Sequence, residues 1–195
     1  CRSESRRLLL RLARLLREVP ALRETYVVGG GVRDALLDQP GKDFDLEVFG
    51  LGYEELADVL RPFGRVDLVG RSFGVVKLAL DGHTHDFAIP RRDSKSGPGH
   101  RGFAVSFDPG ISPREAAARR DFTINALMWD PRTGALLDYF GGASDLRHRI
   151  LRHVGPGFVD DPLRVLRGFQ FAGRFELQAA PETVELCRQI VPTHP

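Results

Sequence analysis

Cysteine is nearly absent from this chain: Cys1 and Cys187 are the only two in 195 residues. They lie far apart in no metal or redox spacing, which argues against a disulfide scaffold and favours an intracellular, cytoplasmic protein. Lysine is scarce too, with Lys42, Lys77 and Lys95 the only examples among 28 basic residues. Arginine suits bidentate phosphate contacts, although a GC-rich genome gives the same bias. No apolar run can span a membrane, since Leu8–Leu10 is interrupted by arginines. The Arg/Leu-rich start imitates a transit peptide, but Glu4 and Glu18 weaken that reading. An excess of one charge is also missing: the net charge of +2 neither demands nor excludes nucleic acid. The chain has no G-x-x-x-x-G-K-[ST], so a P-loop is out, and Ala35 and Leu36 stand where the dinucleotide pattern needs its last glycine. Ser94 and Ser96 have no adjacent histidine and acid, which discounts them as nucleophiles. Internal repeats are absent.

What is present is enough apolar material, 42% of residues, to bury a proper core. Apolar positions Leu8, Leu9, Leu12, Leu15 and Leu16 recur at helical spacing, so Ser3–Glu18 reads as an amphipathic docking helix. Thr25–Val28 reads as a strand, Val32–Leu37 as a short helix, Phe44–Phe49 as a strand and Tyr53–Leu60 as a helix. Strands Val66–Val69, Val75–Leu80 and Thr84–Ile89 follow, the last two joined by an Asp81-Gly82 turn. Pro90–Pro109 is rich in Arg, Ser, Gly and Pro and reads as a mobile loop. Ser112 then caps a helix with Glu115 at the capping-box position, and the helical pattern runs on through Asn125–Met128. A β-like patch at Ala135–Tyr139 precedes helices Asp161–Phe175 and Pro181–Ile190. The expected division is a helix over 1–24, an α/β head over 25–152 and the start of an all-helical neck over 153–195. A start at Cys1 rather than Met, and a stop at Pro195, are expected of a piece of a longer chain.

Four segments carry candidate chemistry. In GGGVRDALLDQPGKDFDLE, Asp43 and Asp45 stand two apart in a short extended run and point to one face, where two carboxylates can hold divalent metal. Asp86, in HTHDFAI, is the best third acid if a neighbouring strand presents it to that face. A solvated turn or strand edge is the ordinary account of a lone D-x-D. Gly29, Gly30 and Gly31 follow a strand and open a helix, so backbone N–H groups there can face a phosphate, with Arg33 one turn in. A plain tight turn is the competing account. In RRDFTINAL, Arg119 and Arg120 can clamp phosphates while Asp121 and Asn125 hold a sugar hydroxyl; a helix C-terminus carrying favourable cations looks the same. In DDPLRVLR, Asp161 and Arg164 share a helical face and either form a salt bridge or present a base-reading pair. His83 and His85 alternate on a presumed strand and read as solvent-facing, and Trp129 and the phenylalanines as core.

These segments occur in an order that resembles the class II tRNA nucleotidyltransferase and bacterial poly(A) polymerase family, over about Tyr26 to Phe175. The resemblance implies an α+β fold: a DNA polymerase β-like nucleotidyltransferase head, a small mixed sheet flanked by helices, followed by an all-helical neck. It implies Mg²⁺ on Asp43 and Asp45 with Asp86 in support, and triphosphate contacts from Gly29, Gly30, Arg33, Arg120 and Arg167. Asp121 and Asn125 would serve the ribose, and Asp161 and Arg164 would read the Watson–Crick edge of an incoming C or A. The activity implied is template-independent addition of C and A from CTP and ATP to the 3′ end of tRNA, with release of pyrophosphate and no membrane involvement. Poly(A) synthesis and CC- or A-only addition are the alternatives within the family, and a non-catalytic RNA-binding head is the alternative outside it. Two positions depart from the family pattern. Asp160 stands where many relatives carry Glu, and Gln170 stands where a third arginine usually helps hold phosphates. A piece lacking the usual body and tail is expected to bind nucleotide but hold tRNA weakly.

Overall fold

A computed structural model describes residues 2–95, 103–161 and 163–190. Cys1, Ser96 and the chain end at Pro195 therefore lie outside the described residues. Helix α1 (Arg2–Glu18) leads to β1 (Thr25–Val28), α2 (Gly30–Leu36), β2 (Asp45–Val48), α3 (Tyr53–Leu60), β3 (Arg65–Asp67), β4 (Val75–Leu80) and β5 (His83–Ala88). Next come β6 (Arg91–Lys95), β7 (Phe103–Phe107), α4 (Pro113–Ala118), β8 (Met128–Trp129), β9 (Leu136–Leu137) and α5 (Gly142–Arg147). The last elements are β10 (Ile150–Leu151), α6 (Leu163–Phe175), β11 (Gln178–Ala179) and α7 (Pro181–Ile190).

Among the described residues, seven strands form one mixed sheet in the order β3-β4-β5-β2-β1-β8-β9. The β2–β5 pair is parallel and its other neighbours are antiparallel. Period-two alternation sends Leu46 and Val48 of β2, Val76, Leu78 and Leu80 of β4, and Phe87 of β5 to one face. There they meet Leu8, Leu12, Leu15 and Leu16 of α1 and Leu56 and Leu60 of α3 in the main apolar cluster. The amphipathic helix read from the sequence is thus part of the sheet's own core. The opposite face of β2 and β5 carries Asp45, Glu47 and Asp86 and forms one wall of a cleft. The α+β architecture with a mixed sheet and flanking helices is as expected. Beyond residue 153 the described chain is mainly helical, with β11 pairing parallel to β10.

Several local readings need correction. The expected loop over Pro90–Pro109 contains an antiparallel ladder between β6 and β7, from Arg91↔Phe107 to Lys95↔Phe103. The alternating Phe103, Val105 and Phe107 favour a strand, a signal masked by the surrounding Gly and Pro. The helix capped by Ser112 ends at Ala118, and Asn125–Met128 does not continue it. Thr123–Asn125 is a 3-10 turn, and Leu127 and Met128 then enter different apolar clusters, as successive strand residues must. Gly142, first in α5, packs so close to that turn that a Cβ would stand 2.1 Å from the Thr123 carbonyl oxygen. The last correction concerns His85. It is fully buried rather than solvent-facing, and its ring stacks on Phe44 at 5.6 Å.

The Phe44 N–H donates to His85 Nδ1 at 3.1 Å, which places the proton of the neutral ring on Nε2. Burial lowers the pKa of His85 below its ordinary value. As pH falls through the usual histidine range, the unfolded chain takes up this proton before the folded one, so stability is lost on acidification. His85→Gln keeps an acceptor for the Phe44 N–H and removes the titration. Melting curves between pH 7.5 and 5.5 should show a smaller fall in Tm for His85→Gln than for the parent; equal falls would exclude a buried neutral His85.

Candidate active site

The turn between β1 and α2 is built on Gly29, whose φ of +70° suits glycine. Strand β1 is covered on both faces, so the turn emerges at a fixed place beside β2. The parallel register of β2 and β5 sets Asp45 opposite Asp86. The hairpin turn at Asp81 and Gly82, both with positive φ, sets Lys77 opposite Asp86 on the other side. Lys77 Nζ lies 2.9 Å from Asp86 Oδ1. The carboxyl of Asp45 is pushed above its ordinary value, first by burial and then by the nearby Asp86, against the opposing pull of Arg120 and Lys77.

Around these acids lies a cleft of about 750 Å³. Its lining includes Gly29, Gly30, Arg33, Asp45, Asp86, Arg120, Asp121, Asn125, Asp161, Arg164 and Arg167, drawn from four distant stretches of chain. Asp43 is the exception. It precedes β2 rather than sharing the strand with Asp45, its side chain is 73% exposed, and its Oδ1 lies 3.7 Å from His83 Nδ1. Asp45 and Asp86 stand in register on neighbouring strands, while Asp43 lies in the loop just before β2.

The ribose and phosphate candidates form a network of buried side chains, Arg33, Asn125 and Asp121, joined at its edge by the half-exposed Arg167. Arg33 donates from Nη1 to Asn125 Oδ1 at 2.7 Å and pairs with Asp34 at 2.9 Å. Its guanidinium lies over the rings of Phe171 and Phe175, 5.1 and 4.5 Å from their centroids. Asn125 Nδ2 donates to Asp121 Oδ1 at 3.1 Å, and Arg167 pairs with Asp121 Oδ2 at 2.9 Å. The long reach expected of Arg33 is thus largely taken up inside the protein, where it joins α2 to α6. Arg120 also faces the glycine turn, with Nη1 3.9 Å from where a Cβ on Gly29 would stand, and its Nη2 pairs with Glu47 at 3.2 Å.

Asp161 and Arg164 are arranged differently from the expected shared helical face. Asp161 is extended, as the residue before a proline tends to be, and its Oδ1 accepts from the Leu163 N–H at 3.0 Å to cap α6. Arg164 donates to the carbonyls of Gly157 at 2.5 Å and Arg119 at 3.1 Å. Both side chains still line the cleft. Of the two departures, Asp160 and Gln170 are exposed and stand outside the cleft lining.

Sequence reasoning missed Glu47, Lys77, Phe73 and Phe171 as cleft residues or their partners. Glu47 was legible as the next same-face position after Asp45, and Lys77 as the residue that a two-residue Asp81-Gly82 turn sets opposite Asp86. Phe73 is 66% exposed at the cleft and departs from the expectation of a core phenylalanine. It sits in a 3-10 turn between strands, where no periodicity reports its direction.

Among the described residues no three His, Cys, Asp or Glu side chains cluster as a metal-binding group. The donor set nevertheless fits magnesium, which commonly takes one or two carboxylates and completes its shell with water and substrate phosphates. Two hard oxygen ligands stand in register, and the raised pKa of Asp45 marks a position where added positive charge is favourable.

Paired acids, a glycine turn and several arginines thus line one cleft of a mixed α/β head. The chain matches the family described as "Poly A polymerase head domain" over residues 25–152 and belongs to it. It is 45% identical over 168 residues to a "Multifunctional CCA protein" of Stenotrophomonas maltophilia (strain K279a), an alignment covering 85% of this chain and 40% of the relative. A Bacillus stearothermophilus CCA-adding enzyme solved in complex with CTP superposes with a TM-score of 0.69 at 31% identity, over 89% of this chain and 40% of that one. A CCA-adding enzyme solved with ATP superposes with a TM-score of 0.75 at 31% identity, over 96% and 41%. The chain spans about two fifths of the length of such relatives.

Because the folded protein raises the pKa of Asp45, this group contributes stability below its unfolded pKa and loses it as pH rises through the folded value. Ionised Asp45 therefore opposes folding at neutral pH. Asp45→Asn should raise Tm at pH 7.5, on the order of 1 °C after allowance for solvent screening. The gain should vanish in acid. A lower Tm at pH 7.5 would contradict the strained acid pair.

Proposed function

We propose that this chain is the head of a template-independent RNA nucleotidyltransferase that adds C and A from CTP and ATP to the 3′ end of tRNA. The observation that carries the reading is the convergence of Asp45, Asp86, Arg120, Asp161, Arg164 and Arg167 on one cleft. The names of the relatives, and the CTP and ATP in two of the superposed enzymes, favour CCA addition over poly(A) synthesis.

In this reading Asp45 and Asp86 hold Mg²⁺, with Asp43 reaching the site from the loop before β2. Magnesium bound there would lower the pKa of the RNA 3′-hydroxyl and steady the leaving pyrophosphate. The turn at Gly29 and Gly30 receives phosphate oxygens against backbone, and Arg120 and Arg167 supply the opposing charge. Base choice falls to Asp161 and Arg164. Cytosine and adenine both present an amino group beside an acceptor ring nitrogen, which a carboxylate and a guanidinium complement. The two carbonyls that hold Arg164 use part of its five-donor fork, fix its plane, and leave donors for the base. The cytoplasm, where tRNA and nucleotide triphosphates meet, is the compartment such an activity needs.

Mixing the protein with Mg²⁺, a tRNA lacking its CCA end, and CTP or ATP separately tests the reading. Incorporation of both C and A is expected. Long A tracts on any RNA would indicate a poly(A) polymerase, C or A alone a partial enzyme, and no incorporation, in a chain that also carries the tRNA-holding regions of its relatives, a non-catalytic head. Asp43→Ala and Asp45→Ala should each abolish turnover and leave the far-ultraviolet circular dichroism unchanged. Asp161→Ala or Arg164→Ala should instead narrow the preference for C and A over U and G by roughly 5- to 100-fold, the worth of one bidentate base contact. Unaltered base choice in both variants would remove them from the base-reading role.

A further inference from the structure

Glu47 is a charged residue held almost out of solvent on the cleft face of β2. Its strand neighbours Leu46 and Val48 are fully buried, and across the sheet it pairs with Tyr26 of β1 and Ala88 of β5. The residue is only 8% exposed. Its Oε2 lies 3.2 Å from Arg120 Nη2, whereas among the described residues its buried Oε1 has no hydrogen-bond partner. Burying a carboxylate with one oxygen unsatisfied costs more than an apolar side chain of similar size would. The fold keeps it at the floor of the cleft, on the same face of β2 as Asp45.

Its partner explains the placement. Arg120 is positioned with Nη1 3.9 Å from where a Cβ on Gly29 would stand, while Nη2 turns down to Glu47. One edge of the planar guanidinium is therefore tethered and the other is turned toward the glycine turn. Arg120 also lies within electrostatic range of Asp45, the next acid on the same face of the strand. Without Glu47, the free guanidinium has a competing carboxylate to collapse onto, which would withdraw it from the turn and neutralise a candidate magnesium ligand.

We propose that Glu47 is a positioning residue: it holds Arg120 aimed at the Gly29 turn, so that the guanidinium meets the β- and γ-phosphates of a nucleoside triphosphate. The inference rests on the cleft being the nucleotide site, as argued above. Glu47 touches neither the nucleotide nor the metal and acts through the arginine.

Calorimetric titration with CTP and with CMP, in the absence of divalent cation, tests this on the parent, Glu47→Ala, Glu47→Gln, Arg120→Ala and the Glu47→Ala/Arg120→Ala double variant. Glu47→Ala should weaken CTP about tenfold while CMP changes by less than about twofold, because only the outer phosphates lose their contact. The double variant should bind CTP no more weakly than Arg120→Ala alone, since Glu47 has nothing left to position. Glu47→Gln, which keeps an acceptor for Nη2, should recover part of the loss. Unchanged CTP affinity in Glu47→Ala, equal losses for CTP and CMP, or losses that multiply in the double variant would each overturn the inference. Failure of the parent protein to bind CTP at all would instead overturn the nucleotide reading of the cleft.

Discussion

Two carboxylates held side by side on parallel strands repel each other, and much of the cleft is arranged around that repulsion. Backbone register fixes Asp45 and Asp86 opposite each other on β2 and β5, so the two acids cannot be separated along the sheet without breaking the ladder. Lys77 answers from β4 and Arg120 from the segment after α4. Neither cation is a chance surface neighbour. Lys77 is delivered by the hairpin register, and Arg120 is held from below by Glu47. The site thus stores unfavourable charge that a dication and phosphates of opposite sign are suited to discharge between them.

A second layer of constraint comes from α6. Arg33 on α2 is sandwiched against Phe171 and Phe175, and Arg167 pairs with Asp121 on the opposite side of the same network. Helix α6 therefore carries candidate nucleotide contacts on one stretch and closes the back of the glycine-turn helix with another. Thr123 and Arg152 converge on Asp145 at 2.7 and 3.1 Å, tying the RRDFTINAL segment to α5 and β10. The segments that carry the candidate acids, the arginines and the Asp161/Arg164 pair belong to separate stretches of chain, and these contacts tie them to one another.

Legibility in the sequence followed the kind of signal available. Strands β1 and β4, helix α3 and the β4–β5 hairpin were readable because apolar periodicity and an Asp-Gly turn are local signals. Asp45, Asp86 and the arginines were readable as candidates because their residue types and order resemble a known family. What could not be read depended on contacts distant in sequence. Only the fold shows that Arg33 spends its donors on Asn125 and Asp34, or that Arg164 is held by the Gly157 and Arg119 carbonyls. The β6–β7 ladder was hidden by Gly and Pro nearby, and the extended Asp161 by a helical pattern that ignored the proline after it.

The first helix has a wider consequence than its apolar stripe suggests. Ser5 donates to the Gly41 carbonyl at 2.7 Å, and Glu4 pairs with Lys42 at 2.7 Å and His83 at 3.2 Å. His83 in turn lies beside Asp43. The loop that delivers the acids to β2 is therefore moored to a helix lying before residue 25, outside the stretch that matches the family. Similarity alone would draw the boundary of a transplantable head at that residue and cut these moorings. The portable unit of this fold is larger than the stretch by which it is recognised.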